Sequence, residues 1–547
     1  MTPADELIFL ALGGSGEIGM NVNLYGCQGK WVMVDLGMTF ADPGTPGVEL
    51  VLPDLDFIEK RAKNLLGIVL THGHEDHIGA IPYLAAELKV PLYATPFTAG
   101  LIRHKLIEEG LEKEVKLKVI PMGGTFQLGP FGFTYVALAH SIPEGNAVVI
   151  DTPYGRIFHT GDWKLDDEPI LGRPSTAEEL TKFGDDGILA LVGDSTNVFN
   201  RRESGSEGGV RDSLLKLAQG RKGRILVSTF ASNAARLDTL GKVAVATGRH
   251  LCIAGRSLER IVRVAKETGY LKDFPPLVDL EDAERLPPQS VLIVATGCQG
   301  EPQAALSRIA RGEHSHIRLG RGDLAILSSK NIPGNELGIG QVINQLTARE
   351  VTVITEKDAH VHVSGHPGQP ELKAMYGWIR PKYAVPVHGE LRHMAAHAAF
   401  ARRCGVEKAI VQTNGDVVRL APGEPAIIGK ETVGRQVLDG DVIVPADGTT
   451  VVQRRRLAHN GYLSATLVLG RGGKLMHEPH IVVHGVPVEN ELDKFRRDCA
   501  RVVHQTLDKV GVKDQERLAE QIRIAIRRLA RDYTAKRPVA EVHILSV

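Results

Sequence analysis

Short apolar runs dominate the first part of the chain, and most of them stop at a His, an Asp or a Gly. Runs of four to eight apolar residues bounded by turn residues are typical of buried β-strands. A helix is predicted over residues 78–88, directly after the His-rich segment 71–77. The predicted strands span residues 7–12, 20–25, 31–34, 65–70, 131–138, 156–158 and 383–387.

A glycine-rich segment at residues 13–19 contains a formal G-x-G-x-x-G pattern. A dinucleotide-binding fingerprint must open a helix, whereas residues 20–25 alternate as a strand. The Lys and Ser/Thr of a phosphate-binding P-loop are also missing. The pattern therefore favours a hairpin turn over a cofactor site.

The middle of the chain alternates between predicted strands and helices, which is typical of a parallel sheet. Because this segment lies between Asp162 and His388, we expect it to be inserted within the first domain. The predicted strands are 224–229, 250–254, 290–295 and 323–327, and the predicted helices are 234–247 and 258–268.

The last hundred residues carry weaker signals, and we expect strands, two helices and a final strand after residue 461. The clearest helix begins at Asp514, a good N-cap residue. Its apolar face is formed by Leu518, Ile522, Ile526, Leu529 and Tyr533. Arg523, Arg527, Arg528 and Arg531 flank that face; an RNA contact, a solvated face and a subunit contact all fit them.

These patterns predict a chain of three domains joined by one linker. We expect a first domain in two parts, an inserted domain, a linker and a C-terminal domain assigned to dimerisation. The first domain is predicted over residues 1–200 and 358–444, and the inserted domain over 201–357. The linker is predicted over 445–460 and the C-terminal domain over 461–547.

Composition narrows the class of protein. Lys plus Arg and Asp plus Glu both number 65 in 547 residues, so the net charge does not indicate a polyanionic partner. Any surface that binds RNA must therefore be a local basic patch. Five scattered cysteines without a C-x-x-C pair argue against disulfides or a cysteine zinc site and fit a reducing cytoplasm. Neither a basic signal peptide nor a membrane-length apolar run is present in the sequence.

The segment Thr71-His-Gly-His-Glu-Asp-His77 places three imidazoles and a carboxylate directly after a predicted strand. These donors suit zinc or manganese. Other strands end at isolated donors, and strand ends on one sheet edge converge. Together they supply enough donors for two metals, namely His72, His74, Asp76, His77, His140, Asp162 and His388, whereas His159 is interpreted as structural.

Further motifs resemble one family. The H-x-H-x-D-H pattern with later His, Asp and His at strand ends resembles the metallo-β-lactamase fold. Asp194 in G-D-S-T-N, His366 in H-V-S-G-H and His388 in P-V-H-G-E resemble the signature positions of the metallo-β-CASP nucleases. Together with F-A-S-N at 230–233 and A-T-G-C-Q-G-E-P at 295–302, they are similar to the bacterial ribonuclease J family. The resemblance covers residues 7–440 by motif and the remainder by layout only.

The resemblance implies an α/β fold: a metallo-β-lactamase αββα sandwich with an inserted β-CASP α/β domain and a small C-terminal α+β domain. It implies a zinc-dependent 5′-to-3′ exoribonuclease that acts on 5′-monophosphate single-stranded RNA and also cuts internally. Roles in rRNA processing and mRNA decay follow, as do a homodimer or homotetramer and RNA-decay protein partners, without a membrane.

The resemblance also implies roles for single residues. His72, His74 and His140 would hold one zinc ion, Asp76, His77 and His388 the other, and Asp162 would bridge them; Mn²⁺ or Mg²⁺ could replace zinc in vitro. Two such metals promote hydroxide attack on a phosphodiester. Asp35 would orient a metal-bound imidazole or water.

The remaining site residues would act on the RNA. His366 is the candidate proton donor to the leaving oxygen, and Asp194 would hold its tautomer and raise its pKa; hydrogen bonding between domains is the structural alternative for both. Phosphate contacts are expected from Ser232 and Asn233, and from the stretch His362, Val363, Ser364, Gly365 and His366.

Two other functions remain open from the sequence. A small-molecule metallohydrolase shares the ligand set, because fold alone does not fix function. A non-catalytic RNA-binding scaffold would need lost ligands, and the sequence retains all seven.

Overall fold

The computed structural model describes residues 5–41, 44–173, 176–332 and 334–547. Its contacts divide the chain into two compact units, each with its own core. The first comprises the residues up to Thr39 and Leu52–Val433; the second comprises Phe40–Val51 and Gly434–Val547.

Strands and helices follow the apolar pattern closely. The strands are β1 (Leu7–Gly13), β2 (Ser15–Gly16), β3 (Val22–Cys27), β4 (Lys30–Val34), β5 (Thr39–Phe40), β6 (Leu50–Pro53), β7 (Leu65–Val69), β8 (Leu92–Ala94), β9 (Leu117–Val119), β10 (Thr125–Leu128), β11 (Phe131–Ala137), β12 (Asn146–Thr152), β13 (Gly155–His159), β14 (Ala190–Asp194), β15 (Ile225–Ser228), β16 (His250–Ala254), β17 (Val291–Ala295), β18 (Leu324–Leu327), β19 (Thr352–Ile354), β20 (Tyr383–Val387), β21 (Gly389–Glu390), β22 (Lys408–Ala409), β23 (Asp416–Ala421), β24 (Ala426–Lys430), β25 (Arg435–Asp439), β26 (Val442–Pro445), β27 (Tyr462–Leu469), β28 (His480–His484) and β29 (Val539–Ser546).

The helices are α1 (Asp56–Glu59), α2 (Glu75–Ile78), α3 (Ile81–Leu88), α4 (Pro96–Glu108), α5 (Ala177–Asp185), α6 (Glu207–Ala218), α7 (Ala234–Ala246), α8 (Arg256–Glu267), α9 (Leu280–Arg285), α10 (Ala305–Arg311), α11 (Glu336–Ala348), α12 (Gln369–Ile379), α13 (Leu391–Arg403), α14 (Thr449–Asn460), α15 (Leu492–Val510) and α16 (Gln515–Thr534).

Two large sheets face each other in the first unit. One has the order β24-β23-β1-β3-β4-β7-β8-β9 and the other β10-β11-β12-β13-β14-β20-β22. Apolar side chains from both, such as Phe9 and Val34 from one and Phe133 and Val192 from the other, form a common core. A further core joins the second sheet to α5, α12 and α13. This is the predicted sandwich.

The predicted helix over 78–88 is divided in the structure into α2 and α3. Gly79 lies between them, and a Cβ there would be 2.4 Å from Met38 Cγ, so the chain is tightly packed at this point. The short helix α2 carries Asp76 and His77.

The middle segment forms a parallel sheet with the order β16-β17-β15-β18-β19, as the alternating pattern predicts. Its core packs α10 and α11 against the strands. The sequence pattern missed the last strand, β19, because it is short and lies only half-buried at the sheet edge. This sheet lies in the chain between β14 and β20, which pair directly in register Ala190↔Tyr383 to Asp194↔Val387.

One buried carboxylate ties the two connections of the inserted segment together. Glu371, at the start of α12, is 3% exposed. It accepts hydrogen bonds from Ser204 N at 3.0 Å and Ser204 Oγ at 2.6 Å on the outgoing chain. On the returning chain it accepts one from Gly368 N at 2.6 Å, and it accepts another from Leu165 N at 3.0 Å.

The second unit contains a three-stranded sheet of order β28-β27-β29 packed on α15 and α16. Asp514 caps α16 by accepting from Arg517 N at 2.9 Å, and Leu518, Ile522 and Ile526 are buried as predicted. Residues 445–460, predicted as a linker, include the helix α14. No helix in the described ranges is both long and apolar enough to cross a bilayer.

Candidate active site

Strand ends carry the predicted ligands to one place. His72 and His74 follow β7, His140 follows β11, Asp162 follows β13 and His388 follows β20. His388 has a left-handed backbone with φ of 51°, an uncommon conformation for a non-glycine residue. Its N–H donates to Gly14 O at 2.6 Å, so the glycine-rich turn after β1 holds this strand end in position.

Three imidazoles form the first donor set together with Asp162. His74 Nδ1 lies 3.1 Å from His72 Nε2 and 3.0 Å from His140 Nε2. Asp162 Oδ2 lies 3.9 Å from both His72 Nε2 and His140 Nε2. The four side chains converge on one small volume.

The second donor set shares Asp162. His77 Nε2 lies 3.2 Å from Asp162 Oδ2 and 3.7 Å from Asp76 Oδ2. His388 approaches Asp76 Oδ2 with Nε2 at 3.1 Å and Asp162 Oδ1 with Nδ1 at 3.0 Å. The structure thus brings all seven predicted ligands together, with Asp162 between the two sets.

Hydrogen bonds to the other ring nitrogen fix the tautomers of two imidazoles. His140 Nδ1 donates to Gly365 O at 2.6 Å, because a carbonyl can only accept, and this leaves Nε2 with its lone pair. His77 Nδ1 lies 2.7 Å from Asp35 Oδ2, which likewise leaves Nε2 unprotonated in the neutral ring. Asp35 is itself held by Thr71 N at 2.8 Å.

The pKa values of the histidines differ between the two donor sets. Burial lowers the pKa of His74 to about 4 and those of His72 and His140 well below the usual range, so these rings stay neutral. At His77 and His388 burial also acts to lower the pKa, but Asp162 and other carboxylates outweigh it and raise both pKa values. Burial would raise the pKa of Asp162, but His388 and His77 lower it, so this carboxylate is ionised.

The donors fit a divalent metal. In each set one ligand atom per residue lies within 4.8 Å of all the others. Several unprotonated nitrogens face one another, which is unfavourable unless a cation lies between them. Among the described residues, buried Asp162 Oδ1 also has no well-aligned hydrogen-bond donor. Neutral imidazole and carboxylate are common ligands of zinc and related ions.

Asp194 and His366 form a pair beside these sets. His366 Nδ1 lies 2.7 Å from Asp194 Oδ2, and 3.9 Å from Asp162 Oδ2. Burial acts to lower the pKa of His366, but the Asp194 charge and hydrogen bond outweigh it and raise that pKa. The His366 side chain is 23% exposed while Asp194 is fully buried, so only the imidazole can reach a substrate.

The stretch 362–366 is placed against the site, but most of its groups bind protein atoms. Ser364 Oγ accepts from His366 N at 3.1 Å, and the Gly365 carbonyl holds His140. A Cβ on Gly365 would be 2.8 Å from His140 Cε1, so glycine is required for this approach. Val363 is buried, and His362 Nδ1 has no partner among the described residues.

Asn233 has a structural role in this structure. Its side chain caps α7 by accepting from Arg236 N at 2.8 Å and donates to Glu207 Oε1 at 3.2 Å. It is 2% exposed, so the predicted contact of its side chain with RNA phosphate gains no support here. Ser232 next to it is half-buried and stays a prediction.

Sequence reasoning missed the buried cation behind this cap. Arg236 is fully buried and binds Glu207 with two nitrogens at 3.0 Å and 3.1 Å. It also donates to Val361 O at 2.8 Å, so it ties α7 to the chain that leads into 362–366. The only signal was an Arg within the first turn of a predicted helix, which is too common to single out. His159, interpreted as structural, is buried against Tyr25 OH at 2.8 Å.

Comparison with known families covers nearly the whole chain. The model of the metallo-beta-lactamase superfamily matches residues 19–228. The model of the ribonuclease J beta-CASP domain matches residues 222–346, and the Zn-dependent metallo-hydrolase RNA specificity domain matches residues 351–411. The ribonuclease J C-terminal domain matches residues 449–547.

Three relatives that align over nearly their whole length are named as ribonuclease J proteins. "Ribonuclease J" of Sinorhizobium meliloti is 38% identical over 100% of this chain and 98% of its own length. "Ribonuclease J" of Mycolicibacterium smegmatis is 38% identical over 98% of this chain and 97% of its own. "Ribonuclease J 1" of Streptococcus pyogenes is 36% identical over 95% and 94%.

A solved structure supports the fold. A protein of unknown function from Enterococcus faecalis superposes with a TM-score of 0.53 at 17% identity, covering 76% of this chain and all of its own. At this identity the likeness concerns the fold alone.

Proposed function

The chain belongs to the ribonuclease J family, and on that premise we propose that it is a zinc-dependent 5′-to-3′ exoribonuclease of 5′-monophosphate single-stranded RNA. Family membership makes it a metal-dependent RNA hydrolase. We further propose that it can cut internally and acts in RNA processing and decay. The observation that carries the proposal is the pair of donor sets sharing Asp162 beside the Asp194–His366 pair.

In this proposal His72, His74 and His140 hold one metal, Asp76, His77 and His388 hold the other, and Asp162 serves both. Two divalent cations bound here would lower the pKa of water toward neutrality and neutralise charge on the phosphodiester. Zinc is proposed because the sets are rich in imidazole, and manganese or magnesium would replace it in vitro.

Asp35 keeps one of these ligands in place. Its carboxylate accepts the Nδ1 proton of His77 at 2.7 Å and so directs Nε2 toward Asp162. Such outer hydrogen bonds fix the orientation and basicity of a ligating imidazole. Gly365 O does the same for His140.

His366 donates the proton that the leaving 3′-oxygen needs. Asp194 accepts from Nδ1 at 2.7 Å, so the proton transferred is the one on Nε2, on the exposed side of the ring. Asp194 raises the pKa of His366, which favours the protonated ring that this step requires. The products would be a 5′-phosphate and a 3′-hydroxyl.

The RNA would lie between the metals and the inserted domain. Backbone N–H groups of the stretch 362–366 and the hydroxyl of Ser232 are the proposed phosphate contacts. Aromatic residues make up only 5% of the chain, so phosphate contacts dominate over stacking in this proposal.

The test uses one end-labelled RNA with either a 5′-monophosphate or a 5′-triphosphate, beside the matching DNA, with and without a chelator. We expect mononucleotides from the 5′ end of the monophosphate RNA, slower decay of the triphosphate form and no decay with chelator. Faster turnover of a thioester or β-lactam than of RNA would instead favour a small-molecule hydrolase. RNA binding without any cleavage would indicate a scaffold.

The proposal also concerns assembly and location. All five cysteines are free, which fits the reducing cytoplasm proposed as the place of action. The C-terminal sheet ends in β29, where Leu545 is 54% exposed, and we propose that this domain forms a homodimer. RNA-decay protein partners stay a prediction.

A further inference from the structure

An exposed aromatic ring lies on the loop that leaves the Asp194–His366 pair. Phe199 follows β14 by five residues and is 54% exposed. Among the described phenylalanines only Phe40 is more exposed. Phe199 therefore offers an aromatic surface close to the Asp194–His366 pair.

The ring is supported from one side. His393, on α13, packs against it with ring centres 5.1 Å apart and an angle of 55° between the ring planes. His393 is itself buried, at 7% exposure, so Phe199 is held from below while the rest of its surface faces solvent. A flat apolar surface backed by another ring is suited to stacking.

The loop that carries Phe199 is rigid and bound to the catalytic loop. Asn197 Nδ2 donates to His366 O at 3.1 Å, and Gln369 Nε2 donates to Val198 O at 3.0 Å. Gln369 N also donates to Asn200 O at 2.8 Å. Phe199 is therefore fixed on both sides, two residues from the side chain that holds His366.

Two arginines follow Phe199 closely in the chain. Arg201 and Arg202 are exposed, and the backbone N–H of Arg202 donates to Asn200 Oδ1 at 3.0 Å. Within the described ranges their guanidinium groups have neither an ion pair nor a hydrogen bond. Arg392, by contrast, pairs with Glu390 at 2.6 Å. A stacking ring followed by two unpaired cations is complementary to a base followed by phosphates.

We propose that Phe199 stacks on a nucleobase of single-stranded RNA and that Arg201 and Arg202 bind neighbouring phosphates, beside His366. The inference rests on the proposed function and adds a contact that senses a base without reading its sequence, because every base has an aromatic face. It assigns part of the affinity for RNA to this platform of Phe199, Arg201 and Arg202.

The first experiment compares Phe199→Ala, Phe199→Leu and Phe199→Trp on a 5′-monophosphate single-stranded RNA. Stacking predicts that Ala and Leu raise KM by about 5- to 150-fold with a much smaller effect on kcat, whereas Trp stays within about threefold of wild type. Val245→Ala is the control, because Val245 is an apolar residue at the far end of α7 that is 66% exposed. A KM unchanged in both Ala and Leu variants overturns the inference.

The second experiment asks whether the ring meets a base. RNAs with one abasic nucleotide at successive positions are cleaved by wild type and by Phe199→Ala. At one position we expect the abasic site to weaken wild type but not the variant, because the same contact is already lost. Equal penalties in both proteins at every position would contradict stacking.

The arginines are tested by salt. Arg201→Ala and Arg202→Ala should each reduce the slope of log KM against log salt by about 0.7, the value per phosphate contact for single strands. Arg321→Ala, whose guanidinium already pairs with Glu350 at 3.5 Å, is the control. An unchanged slope in both variants would overturn the assignment of these cations.

Failure of the inference can be told from failure of the proposed function. If the wild type does not cleave RNA, the proposed function is wrong, whatever the variants do. If the wild type cleaves RNA and Phe199→Ala has an unchanged KM, only the inference about Phe199 is wrong. If the variant instead changes the mass in solution without changing KM, the ring contacts a second copy of the chain and the inference is wrong.

Discussion

At the scale of the residue, hydrogen bonds to one ring nitrogen decide, for two of the histidines, which nitrogen can face a metal. Gly365 O and Asp35 hold His140 and His77 in this way. The convergence of the seven candidate ligands could be predicted, because His and Asp at strand ends are visible in the sequence. The role of the Gly365 carbonyl could not be predicted, because every residue has a carbonyl and only the fold places this one next to His140.

Asp35→Asn is expected to weaken metal binding by about 10- to 100-fold, because the amide removes the charged acceptor from His77 Nδ1. Metal content is measured after dialysis against graded chelator. Asp186→Asn, an exposed aspartate paired with Arg156, serves as control. Full metal retention at wild-type chelator resistance would contradict the role of Asp35.

His366→Ala is expected to slow RNA cleavage by about 10²- to 10⁴-fold while leaving metal content near normal, because the ring acts on the leaving oxygen. The measurement pairs single-turnover rates with metal analysis of the same sample. Asp162, Asp194, His366 and His388 also lie close enough to hold an ion. Metal loss in proportion to the loss of rate would make His366 a ligand instead of an acid.

At the scale of the element, the junction of the inserted segment depends on single atoms. Glu371 receives four hydrogen bonds from three chain segments, and α4 approaches α8 through Gly100. The sequence predicted four of the five strands of the insertion and the helices α7 and α8 within a few residues, because their apolar runs are clear. It did not predict β19 or the helices α6, α9, α10 and α11. It predicted neither Glu371 nor Gly100, because contacts between elements leave no periodic signal.

Glu371→Gln should destabilise the protein by about 1–3 kcal/mol for each backbone N–H that loses its acceptor. An amide NH₂ cannot accept, so in either orientation of the glutamine at least one of the N–H groups of Leu165, Ser204 and Gly368 loses its acceptor. Chemical denaturation measures the change, with the exposed Glu178→Gln as control. Equal stability of the two variants would show that the junction does not depend on this carboxylate.

Gly100→Ala is expected to be less stable than Gly340→Ala by about 1–3 kcal/mol, the usual cost of overpacking. A Cβ on Gly100 would be 2.7 Å from Val264 Cγ1, whereas one on Gly340 has nothing within 4 Å. Both glycines lie inside helices, so the gain in helix propensity cancels in the comparison. Thermal and urea unfolding of the two variants side by side decides it.

At the scale of the whole molecule, the order of the domains could be predicted, but the secondary structure of the region between them could not be predicted everywhere. The insertion was visible because βα alternation interrupts the series of ligands. Helix α14 was not, because its arginine-rich sequence buries only Val451 and shows no apolar stripe. Helix α16, by contrast, shows Leu518, Ile522 and Ile526 on one face and was predicted from its cap onward.

Removal of residues 461–547 should convert a dimer into a monomer, because the proposed contact lies on the C-terminal domain. That domain has a core of its own, so its loss need not disturb the core of the first unit. Light scattering gives the mass of the full and shortened chains. A shortened chain that keeps the mass of a dimer would place the contact elsewhere.

The direct pairing of β14 with β20 has a consequence for the order of synthesis. The ribosome must make residues 195–382 before β20 can join its neighbour, and His388 emerges later still. A nascent or prematurely terminated chain therefore lacks both the proposed acid His366 and the proposed ligand His388 until the insertion is complete. By the proposed mechanism, the enzyme would gain RNA-cleaving activity only late in its own translation.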